Sequence, residues 1–281
     1  MEIGRYTIEQ LSEGRFEVFE DGRFNKLAPG EEETTVPIDL PVQVSTTIGI
    51  NPILLSSGEH NILLDTGLGW GLDAGSSYTD VSNAVTNLEI FGIAPEDITH
   101  VILTHLHYDH AAGCTYTDND SLTQPTFPNA RYILQRNEWE YAVERTGKPN
   151  PVQGANYRLD DLYRLFADNY FDLLETERDT ILPGITVIRT AGHTPGHQVV
   201  RISDGGDTAY YLGDLLPSEQ HLNHYAMREV DLHPNQAKKK KIQLLREIYG
   251  ENACILFYHS LFSKVGRLEK GDKKNYVFKE I

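Results

Sequence analysis

Apolar and polar positions alternate in short runs over the first part of this chain and take on helical spacing later. Segments 14–20 (GRFEVFE) and 42–50 (VQVSTTIGI) alternate as strands do. The stretch NPILLSSGEHNILLDTG holds two apolar runs on either side of Ser57-Gly58-Glu59-His60, which predicts a hairpin. Residues 80–91 carry apolar positions at helical period, with Asp80 as the opening signal and Gly92 as the stop. Pro95 starts a turn, and 100–103 is the next strand. A strand at 131–135 leads into a helix at 136–145, and 157–168 reads as another helix. Segments 185–190 and 198–203 are strands, and Asp204-Gly205-Gly206-Asp207 turns into a further one at 208–214. Pro234 opens a helix that runs to about residue 249. A strand at 253–258 follows, and 267–278 can add a hairpin at a sheet edge. Strands lead and helices arrive between the later ones. That order predicts two packed sheets with helices outside, an αββα sandwich.

The 281 residues are within reach of one core, so a single domain over 1–281 is expected. The stretch 114–182 reads as a mixed insertion over the active face. Apolar residues make up 40% and charged residues 23%, which is a globular composition. Asp and Glu number 41 against 25 Lys and Arg, giving a formal charge of −16 spread along the chain. Such a surface repels phosphate backbones and anionic lipid, which argues against nucleic acid or membrane as partner. MEIGRYTIEQ shows no basic region followed by an apolar stretch, and no apolar run reaches membrane length, so a cytoplasmic protein is expected. Cys114 and Cys254 are too few for a disulfide framework or a thiolate cage and read as small buried fillers.

The chemistry is concentrated where strands end. Thr104-His105-Leu106-His107-Tyr108-Asp109-His110 places three imidazoles and a carboxylate within six residues, directly after an apolar strand. Imidazole and carboxylate suit zinc, with manganese, iron and cobalt as alternatives. In an extended chain His105, His107 and Asp109 point one way. Asp109 and His110 then need a tight turn, which Ala111-Ala112-Gly113 permits. His193 (in AGHTPGH), Asp214 (behind Gly213) and His259 (after ACILFY) also end predicted strands. Seven ligands exceed one zinc, which takes three or four from protein. They fit two ions if Asp214 bridges: His105, His107 and His193 on one, Asp109, His110 and His259 on the other.

HLHYDH at 105–110 resembles the HxHxDH signature of the metallo-β-lactamase superfamily. The likeness continues through LLDTG (63–67), AGHTPGH, Gly213-Asp214 and His259, over roughly residues 40–260. The resemblance implies the αββα fold, two divalent metal ions and the same division of ligands. Gly213-Asp214-Leu215-Leu216-Pro217 and the helix after it look like the branch that holds quorum-signal lactonases and methyl-parathion-type hydrolases. It implies a small lactone or ester as substrate, with an organophosphate or aryl ester as the alternative, and a homodimer as the family expectation. Where several lactonases have a tyrosine three residues after the bridging aspartate, this chain has Pro217, so a lactonase here needs another donor.

A paired-metal site lowers the pKa of water and presents hydroxide to a carbonyl or phosphoryl centre. Asp109 is the candidate proton shuttle. His221 and His224, in the loop His221-Leu222-Asn223-His224-Tyr225, are candidate catalytic donors. Trp70, Trp139, Tyr141, Phe166 and Tyr170 are candidates for the substrate wall. Asp65 reads as the partner of a ligand imidazole or as a strand-end cap. His197 reads as loop support.

Overall fold

Leu54 and Leu55 are neighbours in one strand yet lie in different cores, because successive side chains of a strand leave on opposite faces. Leu63 and Leu64 divide the same way, as do Tyr132 and Ile133. The computed structural model describes residues 1–19, 22–27, 44–78, 81–146, 157–223, 226–262, 265–271 and 275–281. Among these, two seven-stranded sheets form. The first has the order Glu2–Ile3, Tyr6–Gln10, Ile53–Ser56, Asn61–Leu64, His100–Ile102, Arg131–Gln135, Phe171–Leu174. The second runs in chain order: Arg178–Leu182, Ile185–Arg189, Gln198–Asp204, Asp207–Tyr211, Cys254–Leu256, Val265–Lys270, Tyr276–Glu280.

Between the sheets, Leu55, Leu64, Ile102 and Ile133 meet Val187, Val200, Ile202 and Tyr211. On the far side of the first sheet, Leu63, Val101 and Leu134 pack on Leu88, Trp139, Ala142 and Leu165. Those residues come from the helices Ala84–Ile90, Arg136–Arg145 and Leu162–Ala167. Behind the second sheet, Val199, Tyr210 and Ile255 cover Ala237, Leu244 and Ile248 of the helix Pro234–Gly250. The architecture is the αββα sandwich. Each fully buried leucine or isoleucine contributes about 1.5–3 kcal/mol, so the three apolar layers dominate stability. No helix among the described residues is long and apolar enough to cross a membrane.

Several expectations are corrected. The helix expected at 80–91 starts at Ala84, because Asn83 accepts from Thr86 N while Thr86 Oγ1 accepts from Asn83 N, a reciprocal cap. Asp80 lies outside the described residues. The helix expected at 157–168 is only Leu162–Ala167, and Tyr157 instead bridges to His107. For the stretch 114–182, expected as an insertion over the active face, the described residues build into both main sheets. They supply Arg131–Gln135 and Phe171–Leu174 to the first sheet and Arg178–Leu182 to the second.

Parallel pairing places the reactive ends together. Asn61–Leu64, His100–Ile102 and Arg131–Gln135 run parallel, and so do Asp207–Tyr211 and Cys254–Leu256. Their C-terminal ends therefore share a rim, where Asp65, His105, Asp214 and His259 follow. A separate antiparallel sheet of Gly14–Phe19, Phe24–Lys26 and Val44–Ile50 stands beside that rim and contributes Val18, Phe24 and Ile48 to its cavity.

Candidate metal centre

After His107 the chain leaves the extended conformation and enters a single helical turn, Tyr108–Ala111, with His107 as its N-cap. That turn, rather than a continued extended run, carries Asp109 and His110. Gly113 closes it against the strand end, where a Cβ would stand 2.2 Å from Thr66 O. Gly213, at φ +46°, lets the chain before Asp214 pass Thr104 and His197, which a Cβ would meet at 2.8 and 3.0 Å.

All seven expected metal ligands converge. His105, His107 and His193 form one group whose ligand atoms lie within 4.8 Å of one another; Asp109, His110 and His259 form another; His105, His110 and Asp214 form a third between them. His105 Nε2 and His193 Nε2 lie 2.8 and 3.1 Å from His107 Nδ1. His110 Nε2 and His259 Nε2 are 3.3 Å apart, with Asp109 Oδ2 3.9 and 3.5 Å from them. Asp214 reaches both sides. Its Oδ2 is 3.2 Å from His193 Nε2, while Oδ1 is 3.1 Å from His259 Nε2 and 3.4 Å from His110 Nε2.

These donors fit divalent cations. Three ring nitrogens pointing at one place cannot all be satisfied by protons shared among them, so lone pairs are left facing each other. Asp214 Oδ1 is buried without a hydrogen-bond partner. Burial, followed by the facing His110, pushes His105 well below the usual histidine value, and burial with His193 does the same to His107. Both rings are thereby neutral donors. Burial alone would raise Asp214, but His259 and His193 hold it well below the ordinary aspartate value. Burial would lower His110, yet Asp109 and Asp65 push it up to about 10. Without metal a proton thus occupies His110, and it would have to leave for that ring to bind a cation beside Asp109 and Asp214.

Around the ligands, the other ring nitrogens are also held. His110 Nδ1 lies 2.8 Å from Asp65 Oδ2, His193 Nδ1 3.0 Å from Asp231 Oδ1, and His259 Nδ1 2.8 Å from Gly49 O. Such partners fix tautomer and orientation. Asp65 also accepts from Thr104 N, Thr104 Oγ1 and Tyr211 OH at 2.7, 2.8 and 2.7 Å. His197 touches no ligand ring nitrogen by hydrogen bond; its Nε2 accepts the Asp214 N–H at 3.0 Å and its Nδ1 meets Thr190 Oγ1. Glu138 is fully buried and joins the two histidine loops. It accepts from Leu106 N and Gly196 N, both at 3.1 Å, from Tyr157 OH at 3.2 Å, and from Thr194 Oγ1.

A cavity of about 460 Å³ opens above the centre, with His107, Asp109, His193, Asp214 and His259 at its base. Its walls include Val18, Phe24, Ile48, Pro217 and Leu261, with His221 and Arg228. Most of the expected aromatic wall is elsewhere. Trp139 is buried in the outer core and stacks on Phe166, and Tyr170 packs on Tyr132. Tyr141 meets Tyr157 edge-on, and Trp70 lines a neighbouring cavity with Tyr78 and Tyr108. These apolar side chains followed the helix and sheet faces they belong to. His221 lines the main cavity, with Nδ1 2.8 Å from Ser218 Oγ. His224 and Tyr225 lie outside the described residues. Both cysteines are free and buried.

Two sheets with carboxylates and imidazoles gathered on one rim define a hydrolase scaffold built for metal. The family pattern of the metallo-beta-lactamase superfamily matches residues 46–248, and the chain belongs to that superfamily as one of its hydrolases. An N-acyl homoserine lactonase of a Bacillus species is 30% identical over 250 residues, covering 83% of this chain and 84% of the relative. The hydrolase AbOPH, of the beta-lactamase superfamily, is similar in structure at TM-score 0.73 and 22% identity, covering 100% of this chain and 96% of that one. AidC, a dizinc quorum-quenching lactonase in complex with its product, gives TM-score 0.70 at 17% identity, with coverage of 99% and 95%. At those identities the two structures speak for the fold.

Proposed function

We propose that this chain hydrolyses lactones or other small carboxylic esters, acyl-homoserine lactones foremost, at a centre of two divalent cations. Zinc is the first choice of metal. His105, His107 and His193 would hold one cation and Asp109, His110 and His259 the other, with Asp214 as the residue that both groups would share. Bound there, the cations supply an activated water at neutral pH and polarise the acyl oxygen. The observation that carries this reading is the reach of Asp214, whose two oxygens face separate histidine groups at 3.1–3.4 Å. The lactonase relative, matched over most of both chains, supports the substrate class.

The chain's own groups divide the remaining work. Asp109 faces the cavity with its side chain 15% exposed, and its carboxylate takes a proton from the attacking water and returns it to the departing alkoxide. Burial and then Arg228 push His221 down to about 4, so its ring stays neutral at working pH and can donate one N–H to substrate. Val18, Phe24, Ile48 and Leu261 offer an acyl chain an apolar wall. The test is metal analysis of purified protein with parallel assay of acyl-homoserine lactones, aryl esters and paraoxon-like phosphotriesters. Lactone or carboxylic-ester turnover proportional to metal content is expected. Turnover confined to phosphotriesters, or full activity in metal-free protein, overturns the proposal.

A further inference from the structure

Arg228 is the one lysine or arginine among the described residues that line the main cavity. Its side chain is 16% exposed, and its position is fixed from several directions. Nη1 donates to Asp214 O, and Nη2 lies 3.3 Å from Asp214 Oδ2. Asp231 Oδ1, the partner of His193, is 3.9 Å from Nη1. The loop that carries Arg228 is held from behind by Lys241. Its buried ammonium donates to the carbonyls of His221, Asn223 and Ala226 at 3.3, 3.1 and 3.4 Å. Among the described residues no carboxylate lies within ion-pair reach of Lys241, and its ammonium holds that loop by the three carbonyls.

The guanidinium therefore sits at one end of the centre. It approaches Asp214 Oδ2, the oxygen that faces His193, and leaves Oδ1 to His110 and His259. An arginine carries five N–H donors in a rigid fork; the hydrogen bonds above use two of them, and the side chain lines the cavity. Arg228 is the one cationic side chain of fixed charge among the described residues of the cavity wall, so of the protein's own side chains it is the favourable partner for acyl oxygen.

We propose that Arg228 is the acyl-oxygen anchor of this site: it binds the substrate's carbonyl oxygen, and after hydrolysis the product carboxylate, on the His107–His193 side. The leaving alcohol is then directed to the Asp109–His259 side. Hydrolysis adds one water across the ester: its oxygen goes to the acyl carbon, one proton goes to the leaving alcohol, and the other is released to solvent as the new acid ionises, so each turnover creates the anion that Arg228 recognises. The inference rests on the ester-hydrolysis reading above.

The test is calorimetric titration of the metal-loaded protein with hexanoate, which needs no turnover. Metal content is measured on every sample. Arg228→Met with metal retained is expected to weaken hexanoate binding tenfold or more, a charge-assisted hydrogen bond being lost. Arg228→Lys is expected to fall between, since it keeps the charge and loses the fork. Unchanged affinity in Arg228→Met overturns the proposal. If that variant fails to fold or to hold metal, a crystal structure of the metal-loaded wild type with hexanoate decides. A carboxylate oxygen within about 3.2 Å of an Arg228 nitrogen is the outcome required, and a carboxylate bound away from Arg228 overturns it. Hexanoate held by Arg228 in a protein that turns over no ester would leave the anchor standing and sink the catalytic reading instead.

Discussion

Glu138 gives the sharpest prediction about how the centre is assembled. Its Oε1 accepts from Leu106 N and Tyr157 OH, and its Oε2 from Gly196 N and Thr194 Oγ1. Leu106 lies between His105 and His107, and Thr194 and Gly196 follow His193. One buried carboxylate thus registers all three imidazoles of the first ligand group. Replacing it by glutamine keeps the shape and turns one acceptor into a donor. Whichever oxygen becomes the amide nitrogen, one backbone N–H then faces another N–H. The hydroxyl on that side can rotate to accept; the backbone cannot. One orphaned buried donor costs about 1–3 kcal/mol. For a chain of this size that lowers the unfolding midpoint by roughly 2–5 °C. Glu138→Ala leaves both backbone donors orphaned and adds a cavity, so it should cost about twice as much. The assay is thermal unfolding of metal-free protein beside competitive chelator titration. Metal affinity should fall with stability, because the loops lose their common register. If Glu138→Gln melts and binds metal like wild type, the account of how the histidine loops are aligned is wrong.

Further outcomes follow from the same geometry. Asp109→Asn should cut kcat by 100-fold or more with the unfolding midpoint nearly kept, as measured by steady-state kinetics and calorimetry; proton transfer of this kind is worth about 10²–10⁴. Asp65→Ala removes the acceptor of His110 Nδ1, Thr104 and Tyr211, and should lower metal affinity about 10–100-fold in chelator competition. Chelation should abolish turnover and lower the melting temperature, and zinc should restore both. Glu13 is buried, and burial pushes its carboxyl up to about 8 despite the Leu68 N–H it accepts. Since the folded pKa exceeds the unfolded one, the folded state holds the extra proton between about pH 4.5 and 8. Glu13's stabilising share is therefore full below that window and lost as pH rises through it. Glu13→Gln should flatten this part of the unfolding free energy against pH; a difference curve without slope there would refute the assignment.

That the seven candidate ligands gather in one place was legible in the sequence, because each group follows a predicted strand and strand ends on one rim of a sandwich converge. HLHYDH needed no partner to announce itself. His193, Asp214 and His259 are each weak signals alone and became readable together, because all of them end predicted strands; that 208–214 and 253–258 lie side by side is what the structure adds. The supports were not legible. Glu138 sits in a helix after the strand Arg131–Gln135, where a glutamate looks like any solvated charge; its value comes from loops 30 and 60 residues away that only the packed sheets bring to it. Asp231 and Arg228 follow a loop without periodicity, and Tyr211 reads as a sheet residue. The aromatic wall was misplaced for a related reason. Trp139, Phe166 and Tyr170 lie on the outer face of the first sheet, and alternation tells which residues share a face but not which face looks onto the cavity. Two of the three strands that form the wall are legible in the sequence, at 14–20 and 42–50; Phe24–Lys26 is too short to announce itself, and the position of the sheet beside the rim is set by tertiary packing.

The claim everything else hangs from is that Asp214 joins two cations. Anomalous scattering from crystals of zinc-loaded protein, collected on both sides of the zinc edge, tests it most directly. Two peaks about 3.5–4 Å apart, flanking the Asp214 carboxylate with one beside His193 and one beside His259, are predicted. A single peak at full zinc loading, or two peaks with Asp214 touching only one of them, would contradict it.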